Sequence, residues 1–104
     1  MSVPSIDVSP QELRIVQDIL RKHVPDKQVW AFGSRAKGTA WRYSDLDLAI
    51  ITDAPLSWKV RGDMAEDFSE SDLPFRVDIL DWATTRENFR ELIEKDKIVV
   101  QHAA

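Results

Sequence analysis

Apolar positions along this chain change their period several times, and each change predicts an element. Leu13, Val16 and Leu20 recur at helical spacing, and Ile15 and Ile19 widen the same face. Ser9-Pro10-Gln11-Glu12 precedes them. Ser9 is the expected N-cap, Pro10 the first helical residue and Glu12 the return partner of a capping box. The helix should stop before Pro25, because the residue ahead of a proline disfavours the helical region. An apolar run then predicts a strand over 28–32, with a short helix beginning near Ser34. A second run predicts a strand over 45–51, broken by Asp53-Ala54-Pro55. Residues 57–70 fit a helix with Trp58, the stem of Arg61, Ala65 and Phe68 on one side. Gly62 weakens it by about 1 kcal/mol relative to Ala. A third strand is expected from Phe75 to Leu80, after Pro74. Thr84-Thr85-Arg86-Glu87 repeats the capping-box pattern with Thr84 as N-cap, opening a helix whose apolar stripe is Phe89, Leu92 and Ile93. Ile98-Val99-Val100 fits a short edge strand or the last packed turn of that helix. The order implies an α/β fold, a small sheet covered by helices.

Length and composition narrow the class. The chain has 104 residues, enough for one domain, and 43% of them are hydrophobic, enough for a compact core. It has no long unbroken apolar run, so no membrane span is expected. Met1-Ser2-Val3-Pro4 has no basic or apolar stretch, so no secretory signal is read there. The absence of cysteine excludes a disulfide framework and a zinc–thiolate site and fits the cytoplasm. A net charge of −4 argues against extensive nucleic-acid binding. The charge is uneven. Lys22, Lys27, Arg35, Lys37 and Arg42 make residues 22–42 basic, and Asp63, Glu66, Asp67, Glu70 and Asp72 make residues 63–72 acidic. The basic run surrounds Gly33-Ser34 in the sequence, and solvated surface explains both runs equally well.

The chemistry concentrates in one stretch. The first strand delivers Gly33-Ser34 to its end, where a glycine lets backbone approach a phosphate closely. Asp45 and Asp47 stand two apart on the next strand, so both carboxylates point the same way. Such a pair is costly unless something positive lies between, and hard oxygen ligands suit Mg²⁺. Asp78 interrupts the apolar third strand and needs a partner or a metal. Asp81 has the opposite parity, so it should face the other side of the sheet or cap the next turn. Arg76 shares the face of Asp78 and is expected to pair with it or to reach a phosphate. Trp41 and Tyr43 are expected to pack, with stacking on a base as the alternative. His23 and His102 are expected to be solvent-exposed.

Gly33-Ser34, ten intervening residues and Asp45-Leu46-Asp47, set within G-S-R-A-x-G and S-D-L-D-L, resemble the signature of the DNA polymerase β-type nucleotidyltransferase superfamily. The resemblance covers roughly residues 10–95 and is nearest to the minimal nucleotidyltransferase (MNT) domains. It implies a mixed sheet rather than a wholly parallel one. It also implies Asp45, Asp47 and Asp78 as the metal-binding, catalytic carboxylates, with Asp45 and Asp47 bridging two Mg²⁺ ions and Asp78 holding the acceptor-side ion. Gly33, Ser34 and Arg35 are the implied nucleotide-phosphate site, with ATP as substrate. Larger members carry an acceptor-binding domain for which this chain has no room. MNT proteins of this kind resemble antitoxins that move AMP from ATP onto a tyrosine of a HEPN-domain toxin, so a HEPN-type partner is implied, alone or in a larger homo- or hetero-oligomer. Two alternatives stay open: a module that silences its partner by occlusion, and a nucleotidyltransferase for a small molecule.

Overall fold

A computed structural model of the protein describes residues 6–104, so the reading of Met1–Pro4 lies outside the described residues. The order is α1 (Pro10–His23), β1 (Gln28–Phe32), α2 (Ser34–Lys37), β2 (Leu46–Ile51), α3 (Trp58–Glu70), β3 (Val77–Asp81), a 3₁₀ turn (Trp82–Thr84), α4 (Glu87–Asp96) and β4 (Ile98–Gln101). The four strands form one sheet in the order β3-β2-β1-β4. β1 runs antiparallel to β2 and β4, whereas β2 and β3 are parallel, so the sheet is mixed. The edge-strand alternative for Ile98–Val100 is the one realised.

α1 begins as its sequence requires. The Ser9 side chain accepts from Glu12 N–H, and the Glu12 carboxylate accepts from Ser9 N–H, with Pro10 in the first turn. Its buried face is Leu13, Val16 and Leu20. These pack with Val29, Ala31, Leu46, Leu48 and Ile50 of the sheet and with Met64 and Phe68 of α3, so α1 and α3 cover one face. Removing a fully buried leucine such as Leu48 costs about 2–5 kcal/mol. On the other face, Ile93 of α4 and Trp82 pack with Trp30 and Ala49.

Three helical details differ from the sequence reading. α3 turns Met64 and Phe68 inward, with Val60 against the same core, whereas Trp58 is 95% exposed and Ala65 is also outside. Val60 already meets that core in the first turn, and Trp58, the first residue, does not. α4 starts at Glu87 with Arg86 as N-cap. Thr84 caps nothing there, because its hydroxyl and that of Thr85 donate to the Asp81 carbonyl and close a 3₁₀ turn instead. Finally, α4 buries only Ile93; Phe89 and Leu92 remain exposed.

Candidate active site

Lateral register builds the site. Phe32 of β1 is opposite Asp47 of β2, and Asp47 is opposite Asp78 of β3. Residues in register on neighbouring strands share a face, so Asp47 and Asp78 stand side by side. Asp45, two residues before Asp47, faces the same way. These carboxylates lie on the face that carries α4, at the sheet end where β1 leaves for α2. The chain there turns through Gly33, whose φ of 76° falls in a region that L side chains rarely adopt. A Cβ at Gly33 would collide with the Asp47 carboxylate, so the glycine also makes room for the acid. Ser34 begins α2, which Gly38 closes in the left-handed conformation. Lys37 reaches Asp96 at the end of α4 at 3.6 Å and ties this turn across the site's flank.

Electrostatics at the row are unfavourable for a protein by itself. Burial first, then the charges of Asp78 and Asp45, raise the Asp47 carboxyl above its ordinary range. Arg76 supplies positive charge. Its guanidinium lies 2.9 Å from Asp45 and 3.8 Å from Asp78. The hydrogen bond to Asp45, and then the charges of Asp45 and Asp78, hold Arg76 protonated beyond its usual range. The expected Arg76–Asp78 pairing is present, and the closer pairing with Asp45 was not foreseen. As the side chains stand, no three acidic or histidine groups among the described residues close on one point. The donor chemistry nonetheless fits Mg²⁺: hard carboxylate oxygens stand on one face, with Arg76 as their counterion.

Asp81 occupies the opposite face, as its parity requires. It is 3% exposed and accepts hydrogen bonds from the Thr52 hydroxyl and from Leu56 N–H, the latter at 2.6 Å. This changes how the two acids are told apart. Asp81→Ala would leave those donors unpaired in the core and should cost about 2–4 kcal/mol of stability. Asp78, with 55% of its side chain exposed, carries no such burden. Asp78→Ala should therefore keep the melting temperature and lose transfer, whereas Asp81→Ala should lose stability and keep transfer per folded molecule. Paired thermal melts and transfer assays check both.

Arg35 departs from its expected place. It is 5% exposed, stacks over Phe75 at 4.0 Å, and its guanidinium donates to the carbonyls of Asp7, Trp41, Arg42 and Ser44. A guanidinium so committed is unavailable to a phosphate. It clamps the segment between α2 and β2 and thereby sets where Asp45 emerges. Arg35→Met should cost about 3 kcal/mol or more, and Arg35→Lys should recover little, because one ammonium cannot reproduce the planar fork. Denaturant melts of both variants check this. The same clamp overturns the expected packing of Trp41 and Tyr43. It holds the carbonyls of Trp41, Arg42 and Ser44, and the rings of Trp41 and Tyr43 are 83% and 66% exposed.

The basic stretch does not surround the Gly33-Ser34 turn as a unit. Lys22 lies 3.0 Å from Asp67 on α3, and His23 lies 2.6 Å from the same carboxylate. These two bonds, the histidine's first, hold Asp67 below its ordinary range. His23 thus ties α1 to α3 with only 12% of its side chain exposed, against the expectation that it is solvated. His102 is exposed. Among the described residues no helix is long and apolar enough to cross a membrane.

Known proteins share this chain's family and fold. The family profile "Polymerase beta, Nucleotidyltransferase" matches residues 15–103. The chain is 58% identical over 100 residues to a Haemophilus influenzae protein named "Probable protein adenylyltransferase MntA", covering 96% of this chain and 88% of that one. A chain in the crystal structure of a toxin–antitoxin with AMP-PNP superposes with a TM-score of 0.73 at 23% identity, over 88% of this chain and 73% of that one. A chain in a complex of tri-AMPylated Shewanella oneidensis HEPN toxin with MNT antitoxin superposes with a TM-score of 0.67 at 18% identity, over 89% of this chain and 71% of that one. At those identities the two structures show a shared fold. The family match and the close relative carry the assignment: this chain belongs to the polymerase β-type nucleotidyltransferase family.

Proposed function

We propose that this protein transfers AMP from ATP to a hydroxyl, tyrosine foremost, of a HEPN-domain toxin, and that it acts as the antitoxin of that pair. The observation that carries this reading is that Gly33 lies against the Asp47 carboxylate while Asp47 stands in register with Asp78. A turn that admits phosphate stands beside carboxylates that demand positive charge. The relative's name supplies the kind of acceptor, a protein. The complexed HEPN toxin of the structural neighbour supplies the kind of partner. Use of a nucleoside triphosphate fits a cytoplasmic location.

Asp45, Asp47 and Asp78 would hold Mg²⁺. The bound ions would supply charge neutralisation to the phosphates and lower the pKa of the acceptor hydroxyl. The chain's own groups do the positioning. The Gly33 turn and Ser34 bind the outer phosphates. Arg76 offsets the charge of Asp45 and Asp78 until nucleotide arrives. In the step itself the acceptor oxygen forms a bond to the α-phosphorus as the bond to the bridging β-phosphate oxygen breaks. Pyrophosphate leaves, and the hydroxyl proton passes to Asp78 and on to water. Most of the acceleration then comes from alignment and charge placement.

The test is mass spectrometry of the HEPN partner after incubation with this protein, ATP and Mg²⁺. Its mass should rise in whole steps of one AMP. Asp45→Asn/Asp47→Asn should leave that mass unchanged and fail to protect cells even while bound. Rescue of cells by the double variant at normal expression would instead establish occlusion as the neutralising act.

A further inference from the structure

β3 is an edge strand, and it carries Asp78. The Leu46 N–H donates to the Arg76 carbonyl at 2.9 Å. In a parallel pair that bond decides the alternation. Arg76, Asp78 and Leu80 turn main-chain groups toward β2, whereas Val77, Ile79 and Asp81 turn theirs outward. Two outward carbonyls already have donors. Arg61 Nη2 reaches the Ile79 carbonyl at 3.2 Å, and the Thr84 and Thr85 hydroxyls reach that of Asp81 at 3.1 and 2.8 Å. Among the described residues, the outward N–H groups of Val77 and Ile79 remain along the same edge.

An open groove of about 540 Å³ runs beside this strand. Arg61 of α3 borders it on one side, and Arg86, the N-cap of α4, and Phe89 on the other. Trp58, 95% exposed, precedes Arg61 by three residues and so shares its helix face. Arginine and large aromatics are the residue types that carry most binding energy at protein interfaces. The Asp81 carboxylate is turned into the core. The groove is therefore flanked by positive charge on a chain whose net charge is −4.

We propose that the acceptor arrives as an extended segment of the partner, added to the outer edge of β3, with acidic side chains that meet Arg61 and Arg86. This deepens the transfer reading above and rests on it. The lateral row decides the register. Phe32, Asp47 and Asp78 stand side by side on successive strands. The residue of an added strand that pairs with Asp78 takes the next place, with Cβ atoms about 4.5–5.5 Å apart. A tyrosine there lays its ring over the Asp78 carboxylate, pointing toward Asp47. Phe89, T-stacked on Phe32 at 6.0 Å, forms the apolar wall on that face. Arg61 leaves the Ile79 carbonyl for the segment's acidic group and so uncovers the edge. Until then it blunts an edge that would otherwise pair indiscriminately.

Amide hydrogen exchange on the full chain, with and without the HEPN-domain partner and without nucleotide, tests the docking. The Val77 and Ile79 amides should slow by at least about tenfold in the complex. A formed complex in which both amides keep their rates overturns the proposal, whether or not AMP is transferred; the partner's mass judges transfer separately. Val77→Pro removes an outward N–H at the first residue of an edge strand, where proline is tolerated. It should raise the acceptor KM by at least about tenfold and leave the affinity for Mg²⁺-ATP unchanged. Arg61→Glu, at an exposed helix position, should do the same. Wild-type acceptor KM in both variants overturns the proposal.

Discussion

Asp47→Asn should lower AMP transfer by roughly a thousandfold or more while leaving the fold intact. A carboxylate that helps hold a catalytic ion is worth several kcal/mol to the transition state, and each ~1.4 kcal/mol is tenfold in rate. The stability response has the opposite sign. Burial and the charges of Asp78 and Asp45 raise the Asp47 carboxyl above its ordinary range. The folded state then binds more protons than the unfolded one, so wild-type stability falls as pH rises from the unfolded carboxylate value through the raised one. Asparagine lacks that loss. Without metal, the variant should melt at or above the wild-type temperature at neutral pH. That advantage should vanish below the ordinary value of 3.8, where both forms are neutral. Melts across pH, with and without Mg²⁺, measure it. Full transfer by the variant would remove Asp47 from the site. A lower neutral-pH melting temperature would show that the row is not strained by like charge.

Gly33→Val should damage both fold and activity. Two separate constraints act at this position. The φ of 76° strains any L residue, and most of all a β-branched one, by about 1–3 kcal/mol. The added Cβ also collides with the Asp47 carboxylate, which must move. For a domain of this size the melting temperature should fall by roughly 5–20 °C. Displacing Asp47 by even about an ångström should lower transfer by roughly a hundredfold. Gly33→Ala keeps both faults without the branching and should fall between. Calorimetric titration with Mg²⁺-ATP and thermal melts check the pair. Unchanged nucleotide affinity in Gly33→Val would sink the role of this turn in binding phosphate.

Chemistry carried by local pattern was legible in the residues. The capping box at Ser9, the apolar periods of α1 and the strands, and the parity separating Asp78 from Asp81 all depend on contacts within a few residues. Parity in particular is a strict consequence of strand geometry, so one register assigned both acids. Thr84-Thr85-Arg86-Glu87 shows the limit of such patterns. It satisfies the capping-box rule, yet the hydroxyls go to the Asp81 carbonyl because the chain must first turn off the end of β3.

The sequence by itself determined the type of each element up to the turn after β3, the two faces of each strand, and that Asp47 and Asp78 share one face while Asp81 takes the other. Tertiary structure alone decided what distant segments do to one another. Arg35 carries the same guanidinium whether it meets phosphate or carbonyls; only the return of residues 41–44 and of Asp7 to its position makes it a clamp. His23 becomes a tie between helices because Asp67, 44 residues away, arrives beside it. Trp58 and Phe89 have the composition of core residues, yet Trp58 stands exposed at the start of α3 and Phe89 meets the sheet only through its edge-on contact with Phe32. Periodicity reports which side of an element is apolar. It cannot report how far the opposing surface extends, because that depends on strand order and on the angle at which each helix crosses the sheet. The free edge of β3, flanked by Arg61, Arg86 and Phe89, exists only in that three-dimensional arrangement.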